Sequence, residues 1–286
     1  MVSAKLWGQM VKTRTTPNEN LNNTPNYGAI DGFPICLVIN GEYQGIYTFN
    51  IPKDKWTFGM GSGTNECIIS SEIDSEMTAF KEPIVIDNVN FEYEYITDEN
   101  NTEWVTTSLN NLYSALQNAT KDNFESSVGQ YLDLESAIDY YIMVGLFNAI
   151  DCINKNYLLV SYGGKWILSA YDLDCTFGLH WDGKFITPDD KLIETYQYVN
   201  KIMECIYKFS KDKLKERYLE LRNGVLSEGN VATEFLNFAG VIPKTLYNEE
   251  VEIWNEVPLS SVNNVHQIIS FYEQRCKFSD KLIEKL

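Results

Sequence analysis

The chain has 286 residues, of which 40 are Asp or Glu and 23 are Lys or Arg, giving a formal net charge of −17. With 44% hydrophobic and 22% charged residues, the composition is that of an ordinary globular protein, long enough for one large domain or two lobes. The acidic excess argues against a nucleic-acid partner, which needs clustered Lys and Arg, and against docking on anionic membranes, but it suits divalent cations.

In chain order, Met1 to Lys12 lacks the apolar stretch of a signal peptide, which sets the expectation of synthesis in the cytoplasm. Ser3 is placed to cap a short helix carrying Leu6, Trp7, Met10 and Val11. Pro17 to Gly32 is rich in Asn, Thr, Pro and Gly and reads as an extended loop. Ile35 to Ile39, the turn Asn40-Gly41 and the alternating Tyr43, Gly45, Tyr47 and Phe49 read as a β-hairpin. Cys67 to Ile69, Ile84 to Ile86 and Phe91 to Ile96 read as further strands, so residues 1–100 form a β-rich lobe.

Residues 101–286 are mainly helical: Trp104 to Ala119, a helix capped by Asp133, then Leu192 to Phe209, Asp212 to Leu226, Asn230 to Phe238 and Val262 to Leu286. A second hairpin is embedded among them, with Tyr157 to Val160 and Trp166 to Leu168 joined at Gly163-Gly164. The fold class is α+β, a small β-rich lobe followed by a larger helical one. No apolar run reaches the roughly 18 residues that span a bilayer. The six cysteines include no CxxC pair and read as buried reduced thiols, and two histidines are too few for a His-based metal site.

The chemistry concentrates between Asp151 and Gly178. Asp151 is followed five positions later by Asn156, then by the second hairpin, then by Tyr171-Asp172-Leu173-Asp174-Cys175-Thr176-Phe177-Gly178. An acid, an Asn and a later acid form a phosphotransferase layout, because Mg²⁺ prefers hard oxygen ligands and nucleotide phosphates need charge neutralisation. A solvated turn capped by Asp151 and Asn154, with Asp172 to Asp174 on a sheet edge, explains the same residues. Gly59-Met60-Gly61-Ser62-Gly63 is either a phosphate cradle or a flexible loop.

The chain resembles the CotH kinase family, named for a spore coat protein. The resemblance rests on Tyr43-Gln44-Gly45-Ile46-Tyr47, on Asn156-Tyr157-Leu158-Leu159, on Tyr171-Asp172-Leu173-Asp174 with Gly178, and on a helical tail containing Arg275. Tyr27 to Pro34 and Ile51 to Trp56 are similar to a branch found in bacterial and phage structural proteins. The resemblance implies a two-lobed, atypical protein-kinase-like fold that uses ATP and Mg²⁺ to phosphorylate Ser or Thr of a protein. It implies Asp151 as the catalytic Asp and Asn156, Asp172 and Asp174 as the metal-binding set, with Asp172 and Asp174 competing for one position. The chain departs from the family in lacking a Lys on the Cys67 strand and a Glu shortly after Tyr47, so Lys53 or Lys55 is left to meet the phosphates. Asp182 is a distant candidate on a loop, and Cys152 and Cys175 flank the acidic motifs. The implied partner is a protein substrate, Ser-rich and basic to match the charge, in a spore coat, cell surface or virion. A catalytically silent structural module and a Ca²⁺-stabilised adhesin are the competing readings.

Overall fold

The computed structural model of the chain describes residues 1–16, 18–73, 79–191, 199–254 and 265–286. Helix α1 (Val2–Lys12) and a short α2 (Glu19–Asn22) precede a hairpin of β1 (Gly32–Ile39) and β2 (Glu42–Asn50). Asn40 (φ 54°) and Gly41 (φ 85°) both take left-handed backbone angles, as a tight two-residue turn demands. Strands β3 (Glu66–Glu72) and β4 (Phe91–Ile96) follow, then α3 (Glu103–Gln117), a short α4 (Phe124–Ser127) and α5 (Leu134–Phe147). Next come β5 (Lys155–Tyr162), β6 (Ile167–Ala170), α6 (Lys201–Phe209), α7 (Lys211–Asn223), α8 (Glu228–Ala239), α9 (Lys244–Ile253) and α10 (Val265–Ile283).

The fold is mixed α and β, consistent with a kinase-like two-lobed arrangement. The β1–β2 ribbon stands apart, and a four-stranded antiparallel sheet runs in the order β4-β3-β5-β6. This sheet takes two strands from each side of residue 100, because β3 pairs with β5 from Glu66 opposite Tyr162 to Glu72 opposite Lys155. Strands in the middle of a sheet lose water on both faces, and every residue of β5 from Asn156 to Ser161 is buried. Helix α5 packs beneath, buried at every position from Ser136 to Phe147. Asp133 caps it as expected, its side chain accepting from the Ser136 amide at 2.7 Å.

Four expectations change, the first being that the Pro17 to Gly32 segment, expected as an extended loop, contains helix α2, capped by Asn18. Ser3 lies inside α1, not at its cap, and its buried hydroxyl shares a 3.0 Å hydrogen bond with that of Thr176. Ile84 to Ile86 form no strand, because the Ile84 amide and carbonyl are both taken by the Asn110 side chain, at 2.9 Å each. Cys36 is exposed, while the other five cysteines are buried and all six are free thiols. The start of the helix expected from Leu192, at 192–198, and that of the last helix, at 262–264, lie outside the described residues. Among the described residues no helix is long and apolar enough to cross a membrane.

Glu135 ties the end of α1 to the start of α5. Its two oxygens accept from the amides and hydroxyls of Thr15 and Thr16, at 2.6 to 3.0 Å. Burial opposes its ionisation, but these four donors outweigh it and hold the carboxyl below the usual glutamate value. A carboxyl with a lowered folded-state pKa stabilises fully above its unfolded value, about 4.3, and loses that contribution as pH falls through and below it. Glu135→Gln is therefore expected to flatten the acid side of the stability profile, measured as urea midpoints from about pH 6 to pH 3. An unchanged slope would remove Glu135 from the acid response.

Candidate active site

Sheet register builds the site. The β5–β6 hairpin returns the chain so that the Tyr171 amide donates to the Asn156 carbonyl at 3.4 Å, which sets Asp172 beside the start of β5. Asp151 lies on a 3-10 turn (Ile150–Cys152), reached after α5 ends at Asn148 in the left-handed conformation. The side-chain amide nitrogen of Asn156 donates to Asp151 Oδ2 at 3.3 Å, and Lys155 Nζ lies 3.1 Å from the same oxygen. The hairpin thus brings Asp151, Asn156 and the Asp172 loop to one end of the four-stranded sheet.

The backbone here is unusual. Asn148, Asn156, Asp172 and Phe177 all have φ between 52° and 59°, a region that residues with a Cβ rarely enter. Such strain persists where the surroundings over-determine it, and functional sites are where it collects. After Asp172 the chain is locked down firmly. The Phe177 amide donates to the Phe147 carbonyl at 2.6 Å, and its ring packs against Phe147, Phe235 and Tyr272. Gly178 (φ 88°) has no space for a Cβ, which would stand 2.6 Å from the Phe271 ring. Arg275, fully buried, anchors the following loop by donating to the carbonyls of Gly145, Pro188 and Asp190.

Of the two candidate lysines, Lys53 joins this end of the sheet. Its Nζ is 2.6 Å from Glu94 and 3.9 Å from Glu72, and 4.4 Å from the centre of the Tyr171 ring, next to Asp172. The Tyr171 hydroxyl donates to Glu72 Oε1. Lys55 lies over the Tyr95 ring at 5.7 Å and makes no ion pair with the motif acids among the described residues. Glu72, Glu94 and Lys155 were not expected from the sequence. Lys155 stood beside Asn156 in the motif, whereas Glu72 and Glu94 become neighbours of Lys53 only through strand pairing.

The Gly59 to Gly63 loop is already occupied by protein. Glu66 accepts from the Gly61 amide at 2.5 Å and from the Gly63 amide at 2.9 Å, so its own carboxylate takes the donors that a phosphate would need. Asp182 is engaged on its loop by Lys184 (2.5 Å) and His180 (2.8 Å), which hold it well below the usual carboxylate range. Burial first, and then neighbouring acids, push the Cys152 thiol well up and Cys175 to about 12, so neither is a ready nucleophile. An open cleft of about 470 Å3 lies elsewhere, lined by Thr15, Glu135, Lys165, Lys213 and Arg217, and none of the motif acids faces it.

Electrostatically the site is a carboxylate cluster with two cations. Desolvation, then Asp174, Asp151 and Glu72, lift the Asp172 carboxyl above its usual value, and Lys155 opposes them. Burial disfavours the Lys155 charge, but the bond to Asp151 and the fields of Asp151, Glu72 and Asp172 outweigh it and raise its pKa. Asp174 differs, since its Oδ1 accepts the Cys175 amide at 2.6 Å. Among the described residues no three His, Cys, Asp or Glu side chains form a ready-made metal cage. The donor set still fits Mg²⁺, which is commonly held by one or two carboxylates together with substrate phosphates and water. With its amide nitrogen on Asp151, Asn156 would have its carbonyl oxygen to offer such a metal.

Comparison with known proteins adds one match. The family model described as CotH kinase protein matches residues 28–279, most of the chain and all of the site just described. No curated protein matches the chain.

Proposed function

The chain belongs to the CotH kinase family, and from that premise we propose that it transfers the γ-phosphoryl group of ATP to a Ser or Thr hydroxyl of a protein, using Mg²⁺. The observation that carries this reading is the meeting of Asp151 with Asn156, at 3.3 Å, at the end of the sheet to which Asp172 is returned. Asn156 and Asp172 would hold the metal, with Asp174 beside them. When bound, Mg²⁺ supplies positive charge to the β- and γ-phosphate oxygens.

Asp151 receives the proton of the attacking hydroxyl. As the new oxygen–phosphorus bond forms, the bond from the γ-phosphorus to the bridging oxygen breaks, and ADP departs with that electron pair. Lys53, paired with Glu94 and lying over the ring of Tyr171, the residue before Asp172, is assigned to the phosphates; Lys55 is the weaker choice. A net charge of −17 favours basic segments around the accepting Ser, and the family resemblance points to substrates of a spore coat, cell surface or virion.

The test is incubation with Mg²⁺ and γ-labelled ATP, alone and with a Lys-rich Ser peptide. Label on the protein or peptide is expected, together with a rise in melting temperature caused by ATP and Mg²⁺. Neither label nor thermal shift overturns the reading, and stabilisation by Ca²⁺ alone would favour a passive metal-bound module. The two acids should also separate. Asp172→Ala is expected to abolish most of the ATP-dependent thermal shift, whereas Asp174→Ala leaves a larger part, because Asp174 already spends an oxygen on the Cys175 amide. Equal, complete losses would mean that both side chains hold the metal.

A further inference from the structure

Both groups that hold Asp151 take the same oxygen. Lys155 Nζ stands 3.1 Å and Asn156 Nδ2 3.3 Å from Oδ2, while Oδ1 accepts no hydrogen bond among the described residues. Asp151 itself lies on a single 3-10 turn whose backbone is held by the Tyr140 hydroxyl on the Cys152 carbonyl, at 2.7 Å, while its side chain is partly open to solvent, so the direction of the carboxylate is set by side-chain contacts. Lys155 is rooted differently. It begins β5, and its backbone faces Glu72 at the end of the β3–β5 ladder, just past a register shift between Ser71 and Glu72. The strand start therefore gives Lys155 a backbone position separate from the turn that carries Asp151.

We infer that Lys155 is a positioning residue for phosphoryl transfer: by fixing Oδ2 of Asp151 from the strand, it turns Oδ1 toward the substrate hydroxyl as the proton acceptor. This rests on the kinase reading and adds to it a role for a residue that holds neither metal nor nucleotide. Two features of the site support the assignment. First, Lys155 faces Glu72 and Asp172 as well as Asp151, so its charge also offsets the repulsion that would push the Asp151 carboxylate away from Asp172. Second, Asn156 reaches the same oxygen only through a neutral amide nitrogen, at 3.3 Å. A neutral amide nitrogen is the weaker of the two tethers, and the charge-assisted bond from Lys155 is the stronger.

The experiment compares wild-type protein, Lys155→Met, Lys155→Gln and Lys155→Arg in steady-state peptide phosphorylation with ATP and Mg²⁺, after melting temperatures show which variants fold. A positioning role predicts that Lys155→Met lowers kcat about 10- to 100-fold with KM for ATP within about twofold, the scale typical of groups that orient a reacting side chain. Lys155→Arg, which keeps the cation, is expected to recover most of the rate, and Lys155→Gln replaces Lys155→Met if the latter fails to fold. A rise in KM for ATP with kcat intact overturns the inference and makes Lys155 a phosphate contact. Wild-type kcat in Lys155→Met or Lys155→Gln overturns it outright while leaving the kinase reading standing. A wild-type protein that transfers no phosphate brings down both.

Discussion

Asp151→Asn is expected to reduce kcat for peptide phosphorylation by about 10²- to 10⁴-fold, the contribution usual for a positioned proton acceptor. The substitution is nearly isosteric, so the 3-10 turn and its contacts with Lys155 and Asn156 have no steric reason to move. What changes is chemistry: an amide does not take up the proton of an attacking hydroxyl. Asp151 is not among the residues assigned to the metal, so the thermal shift produced by ATP and Mg²⁺ should survive in the variant. That pairing of outcomes, turnover lost and nucleotide binding kept, separates Asp151 from Asp172, whose removal should cost the thermal shift itself. Loss of both properties in Asp151→Asn would move Asp151 from the proton-accepting role to the metal set. Retention of full turnover would leave the chain without its assigned base.

Residues close in sequence carried most of what was legible beforehand. The Asn40-Gly41 turn, the Asp133 cap and the hairpin around Gly163 each depend on local chemistry, and each stands where the sequence puts it. The meeting of Asp151, Asn156 and Asp172 was legible for the same reason, since one hairpin returns its own ends. Lys53 near Glu72 and Glu94 was not, because the loop after β2 meets β3 and its partner β4 only in the folded protein. The glycine loop stayed open between two readings for a related reason: whether its amides are free depends on Glu66, whose side chain folds back onto them. Helix α9 went unread because its own pattern buries no face. It is held instead by Glu250, which accepts the Ile46 amide of β2 at 2.6 Å, and by Trp254, whose ring meets Tyr47 edge-on at 6.3 Å.

The largest stability effect should come from Asp139→Ala, at a residue the chemistry does not use. Asp139 is fully buried on α5 and binds two arginines: Arg14 Nε at 2.7 Å, and Arg217 Nε at 2.8 Å with Nη2 at 3.3 Å. Arg217 continues to the Met10 and Thr13 carbonyls and to Glu220, so one carboxylate joins α1, α5 and α7. Removing it leaves the buried Arg14 guanidinium without its carboxylate and Arg217 with only Glu220 and the Met10 and Thr13 oxygens, and breaking a buried pair in this way costs about 3–5 kcal/mol. Against a total stability of about 5–15 kcal/mol, that is a large share, and it corresponds to a fall in melting temperature on the order of 10 °C. Glu125→Ala is the comparison, since it breaks a pair with Lys213 at 2.7 Å in which both side chains are exposed, and it should cost less than about 1 kcal/mol. Urea midpoints of the two variants decide the matter, and similar small losses would mean that Arg14 and Arg217 find water or other partners. Because α5 ends at Asn148, just before the Asp151 turn, Asp139→Ala should melt early yet, where still folded, keep its response to ATP and Mg²⁺. A variant that stays folded but loses that response would show that the buried ion network also sets the geometry of the site.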